Sequence, residues 1–148
     1  MPKLSIITIT YQAEAYLERT LKSVFEQGCA DEIDYVVIDG ASKDGTLEII
    51  ESNKSQINQL ISERDKGIYD AMNKGMQRAK GEYILFLNAG DAFASSTTLK
   101  NILNELNFIK FALIITTDKV YFNDNKNHHF KENDKLGGID PYSNSKSC

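Results

Sequence analysis

Residues 4–10 read LSIITIT. The run is rich in β-branched residues, which suit an extended backbone, and it lacks the polar alternation of a strand that faces water on one side. It is therefore expected to be a strand buried on both faces, the kind found inside a parallel sheet covered by helices. Downstream, Tyr16, Leu17, Leu21, Val24 and Phe25 recur at helical spacing, and Gly28 lies where a helix would be capped. The alternation then repeats: a strand at 34–39 (DYVVID), a turn at 40–45, and a short helix over 46–53.

A third strand is expected at 57–62. The following helix carries Ile68, Met72, Gly75, Met76 and Ala79 on one face. Residues 83–87 (YILFL) have the strongest pattern of a buried strand, and Leu99, Ile102, Leu103 and Leu106 mark another helix. A last strand pair is expected within 113–122. Strands alternating with helices are best satisfied by crossovers on a mostly parallel sheet covered on both sides, so the fold class is α/β, an α/β/α sandwich of Rossmann-like kind.

Composition narrows the class further. A chain of 148 residues with 41% hydrophobic and 26% charged residues is expected to form one domain and bury a core. The net charge of −4 gives no broad cationic footprint, which argues against a nucleic-acid surface. Cys29 and Cys148 are too few for a metal knuckle or a disulfide framework, and a reducing cytoplasm suits them. No export leader is expected from residues 1–5, which run straight into the first strand, and the longest apolar stretch, 108–115, falls well short of the ~20 residues of a membrane-spanning helix. Peripheral docking on a membrane is left open. From residue 123 the sequence turns polar and aperiodic, as expected of a loop or tail.

In open α/β sheets ligands bind beyond the carboxyl ends of the strands. Those ends carry Thr10 and Tyr11, then Asp39 and Gly40, then the run from Glu63 to Gly67, then the run from Asn88 to Asp91. The topology is expected to gather Asp39, Asp65 and Asp91 about one crevice. Several phosphate-binding readings fail on residue type. There is no G-x-G-x-x-G. The run GASKDGT at 40–46 has the glycine spacing of a P-loop, but Thr46 stands where the lysine belongs and Asp44 would repel phosphate. That run is expected to be a turn and helix cap, with Asp44 or Thr46 receiving free amides.

Three blocks carry a more specific pattern: SIITITYQAEAYLERTLKSVFEQ, then VVIDGASKDGTLEII, then SERDKGIYDAMNKGMQRAKGEYILFLNAGD. In order and spacing they resemble the family 2 glycosyltransferases, an inverting group with the GT-A fold, over about residues 3–122. The resemblance implies transfer of a sugar from a nucleoside diphosphate-sugar, a UDP-sugar being favoured, to a polysaccharide, lipopolysaccharide or lipid-linked acceptor at the cytoplasmic face of a membrane. It places Thr10, Tyr11 and Asp39 at the base and ribose, Asp65 at the nucleoside, and Lys66 or Arg64 near the diphosphate. Asn88 would contact the ribose or sugar. Asp91 is the remaining acid of the family's DxD-type motif and would ligate Mg²⁺ or Mn²⁺.

No general base is identified. Family members place an acid well downstream, and neither Asp118, Asp134 nor Asp140 matches that block. The resemblance thus covers the donor-binding side with an incomplete acceptor side. The competing expectation is a catalytically incompetent module that retains only the donor pocket.

Overall fold

The computed structural model describes residues 1–108. The last strand pair, the polar segment from 123, and Asp118, Asp134 and Asp140 lie outside the described residues. Four strands, β1 (Leu4–Thr10), β2 (Ile33–Asp39), β3 (Gln59–Ser62) and β4 (Tyr83–Phe86), form one parallel sheet in the order β3-β2-β1-β4. The helices are α1 (Leu17–Phe25), α2 (Thr46–Ser52), α3 (Ile68–Arg78) and α4 (Thr98–Glu105), with a 3-10 turn at Lys54–Gln56.

Every residue of β1 and β2 is buried, as their sequences require. Leu4, Ile6, Tyr35, Val37 and Leu85 pack on one face with Leu17, Leu21 and Val24 of α1, Ile50 of α2, and Leu99 and Leu103 of α4. Ile7, Ile9, Val36 and Ile38 face the other way, against Ala71 and Met72 of α3. Gly75 lets α3 approach closely, because a Cβ there would stand 2.5 Å from Cγ2 of Ile7. The covering of both faces makes the sandwich.

Several boundaries differ from expectation for identifiable reasons. The third strand begins at Gln59 rather than residue 57, because at Asn58 the side-chain Oδ1 accepts from the Tyr35 amide (2.7 Å) in place of a backbone carbonyl. β4 is less enclosed than its composition suggests: among the described residues it pairs only with β1, and Tyr83, Ile84 and Phe86 are half-buried. Tyr16, counted with the apolar stripe of α1, is the N-cap residue and is 63% exposed.

At the amino end of the sheet the buried Asp34 carboxylate ties three elements together. Its Oδ2 accepts from Ser5 Oγ (2.9 Å), Gln59 Nε2 (3.1 Å) and the Lys80 amide (2.9 Å), and Ser5 Oγ also accepts from the Gly81 amide (2.9 Å).

Candidate donor-binding cleft

The opposite end is open. β1 leads to a helix on one face and β4 is reached by a helix on the other, so the chain's progress reverses between these neighbouring strands, and their carboxyl ends leave a crevice. A cleft of about 830 Å³ opens there, walled by the loops after all four strands. It is lined by Thr10, Tyr11, Arg64, Asp65 and Asn88 from the sequence-derived set. Asp39, Lys66 and Asp91 belong to the same loops but do not line it.

Gly40 is the pivot of one end of the cleft. A Cβ on it would stand 2.7 Å from Oδ2 of Asp65 and 3.1 Å from Cδ2 of Tyr11, so only glycine lets the ring and the carboxylate converge. Tyr11 is 61% exposed, an unusual position for an aromatic residue and a ready face for a flat ring. Asp39 sits behind this wall with no exposure. Its carboxylate accepts from the Ser42 hydroxyl, the Ser42 amide (3.1 Å) and the Ser62 hydroxyl (2.6 Å), which occupies most of its acceptor capacity and fixes the 40–45 turn.

That turn is stitched to the loop after β1. The Gln12 amide donates to Ser42 Oγ (2.9 Å), the Ala13 amide to Thr46 Oγ1 (2.8 Å), and the Gly45 amide to Glu14 Oε2 (2.8 Å). Asp44 accepts from the Thr46 amide (3.1 Å) and the Glu14 amide (3.3 Å), in keeping with a turn rather than a phosphate loop. The Thr46 side chain, then its amide, hold the Asp44 carboxyl below the usual range. Gln12 (φ 48°) and Ala41 (φ 60°) both adopt the left-handed conformation that disfavours side chains, at about 1 kcal/mol or more each. Both line the cleft, so its walls are held in place against local strain.

The loop after β3 is clamped by Lys74 of α3, which the sequence reading missed. Its Nζ donates to the Arg64 carbonyl (3.0 Å) and pairs with Glu63 (3.0 Å) and Asp70 (3.2 Å). Burial works against the ammonium charge, but the Glu63 and Asp70 carboxylates prevail and raise its pKa. Asp70 in turn accepts from the Lys66 amide (3.1 Å), and that amide, with Lys74, lowers its pKa. Asp65 Oδ1 closes the loop by accepting from the Gly67 amide (2.9 Å). Lys74→Met is expected to cut hydrogen-exchange protection of the Lys66 and Gly67 amides about tenfold while leaving β1 amides unchanged, since only the local opening is affected. Equal loss throughout β1 would show a global effect instead. Because the folded pKa of Asp70 is depressed, its contribution is present above the ordinary carboxylate range and lost as pH falls through the lowered value.

At the other end, Thr10 Oγ1 and Asn88 Oδ1 are buried with no hydrogen-bond partner among the described residues. Buried polar atoms normally have partners, and both orphans belong to residues at the wall of the cleft. The loop beyond β4 is anchored on α1: the Gly90 amide donates to Thr20 Oγ1 (2.9 Å) and the Phe93 amide to Ser23 Oγ (3.3 Å). With strands ~4.8 Å apart, the loops after β3 and β4 are separated by about 14 Å. The loop bearing Arg64 and Lys66 thus springs from a strand three spacings from the one that leads to Asn88 and Asp91. Besides Lys74, Lys43, Gln12, Tyr16 and Ile68 were not anticipated, although all but Lys74 line the cleft. Exposed apolar side chains leave no periodic signal, and only the strand order shows which loops meet.

The family model for Glycosyl transferase family 2 matches residues 5–145, and the chain belongs to that family. A curated relative, the PGL/p-HBAD biosynthesis glycosyltransferase of Mycobacterium bovis (strain BCG / Pasteur 1173P2), is 38% identical over 104 residues, covering 68% of this chain and 40% of the relative. Among solved structures, S. aureus TarS 1-349 in complex with UDP-GlcNAc is similar with a TM-score of 0.65 and 29% identity, over 72% of this chain and 31% of that one. The mannosyltransferase PcManGT from Pyrobaculum calidifontis, in complex with GDP-Man and Mn²⁺, is similar with a TM-score of 0.62 and 27% identity, over 68% and 31%. The chain therefore spans about 40% of the length of the first curated relative. The parallel sheet flanked by helices is the Rossmann-like GT-A arrangement of these neighbours. Among the described residues no helix is long and apolar enough to cross a membrane.

Proposed function

We propose that this chain forms the donor-binding side of an inverting glycosyltransferase that takes a sugar from a nucleoside diphosphate-sugar, a UDP-sugar being favoured, to a glycan or lipid-linked acceptor at the cytoplasmic membrane face. The observation that carries this is the convergence of Tyr11 and Asp65 on Gly40 in the same cleft as the orphaned Thr10 and Asn88 atoms. Tyr11 offers its face to the base. Asp65 accepts from a base N–H or a ribose hydroxyl, a pairing for which uracil's imide is suited. Asp39 holds the turn that carries Gly40. Arg64 supplies positive charge at the nucleoside end, and Lys66 stands beside it in the same loop.

Among the described residues no three His, Cys, Asp or Glu side chains converge into a cage. Asp91, in the loop beyond β4, would give one carboxylate to a hard cation taken up with the donor, whose phosphate oxygens and water would supply the other ligands, as is common for Mg²⁺. Bound there, Mg²⁺ or Mn²⁺ would neutralise charge on the departing diphosphate. Asn88 orients the ribose or sugar through its amide.

Calorimetry with UDP, GDP, ADP and CDP, with and without Mn²⁺, tests the proposal. Binding of UDP that tightens about tenfold with Mn²⁺, and a loss of that increment in Asp91→Asn, is the expected result. Absence of binding by every nucleotide, with or without the metal, would refute the donor site.

A further inference from the structure

Tyr16 is a large aromatic residue whose side chain neither caps its helix nor enters the core. It occupies the N-cap of α1, where Ser, Thr, Asp or Asn would satisfy the free amides, and it makes no side-chain capping bond. It takes no part in the core either: the next residue, Leu17, is fully buried, whereas Tyr16 is 63% exposed. Yet it lines the cleft.

Its position along the cleft is defined. A Cβ on Gly90 would stand 3.9 Å from the Tyr16 Cβ, so the residue lies against the loop beyond β4, at the opposite end from Gly40 and Asp65. That loop is fixed to α1 through Thr20 and Ser23, which follow Tyr16 by one and two helical turns on the same side of the helix. The two aromatic residues of the cleft's first loop therefore serve different ends: Tyr11 the nucleoside, Tyr16 whatever extends past the diphosphate.

We propose that Tyr16 is a specificity-determining residue whose ring forms the platform for the donor's sugar, packing against the apolar C–H face of a pyranose. The inference rests on the donor-site proposal above. A pyranose carries polarised C–H groups on one face, which match the negative face of an aromatic ring, and hydroxyls around its edge, which leave that contact intact. The phenolic hydroxyl has no part in this, so phenylalanine should serve equally.

The test compares a nucleotide with its own sugar conjugate: UDP with UDP-N-acetylglucosamine, and GDP with GDP-mannose, titrated into the full 148-residue chain and its Tyr16→Ala and Tyr16→Phe variants. Tyr16→Ala should weaken the sugar conjugate about five- to tenfold while the free nucleotide stays within about twofold, and Tyr16→Phe should match the parent. An equal loss for nucleotide and conjugate, or no loss for either, overturns the assignment to the sugar. If the parent chain binds none of the four probes, the donor site itself fails, an outcome distinct from an unchanged ratio. Circular dichroism of each variant verifies that the exposed substitution leaves the fold intact.

Discussion

Gly40→Ala is expected to weaken nucleotide binding about 30-fold or more with only a small change in unfolding midpoint. The backbone at Gly40 has no positive φ, so alanine can adopt its conformation. The added methyl would enter the space held by Asp65 Oδ2 and the Tyr11 ring and push both from the positions proposed to contact the nucleoside. Two contacts displaced at about 1 kcal/mol each amount to roughly a 30-fold loss, since 1.4 kcal/mol is tenfold. Calorimetric titration checks the affinity and urea denaturation the stability. A parent-like affinity would mean that the nucleoside does not use this wall.

Asp34→Ala acts at the other end and should do the reverse, costing the fold about 3–5 kcal/mol. The substitution strips a buried carboxylate from Ser5, Gln59 and the Lys80 amide, leaving donors enclosed without their acceptor. Urea unfolding should show a lower midpoint with an unchanged slope. At roughly 2–4 °C per kcal/mol for a chain of this size, the melting temperature should fall by about 10 °C. A shift under 2 °C would show that water replaces the lost acceptor.

These two sites differ in how far the sequence reveals them. The strands were legible because burial on both faces forces a run such as LSIITIT, which β1 reproduces residue for residue. The helices α2 and α3 end within a residue of expectation, since Thr46 and Ile68 open apolar stripes bounded by loop residues. Strand order was not legible: nothing in a strand's own residues says which neighbour it pairs with. Among the described residues β3 is an outer strand of the sheet, a position that no reading of its own residues reveals. Asp39 shows a second limit. A strand-ending aspartate reads as a ligand contact, but whether Ser42 and Ser62 fold over it depends on residues from another turn and another strand. Lys74 is a third case, because an exposed-face lysine on a helix is ordinary until the loop carbonyl above it is known.

Helix α1 has a consequence for how such a cleft changes. It begins directly after the loop bearing Tyr11, and its Thr20 and Ser23 receive the amides of Gly90 and Phe93. One rigid rod therefore acts as a gauge block, setting the span between the two ends by pitch and rise rather than by loop conformation. A repacking beneath Leu17 or Leu21 would translate both ends in concert, so accommodating a bulkier or smaller cargo falls to side chains standing on the rod, not to its seat.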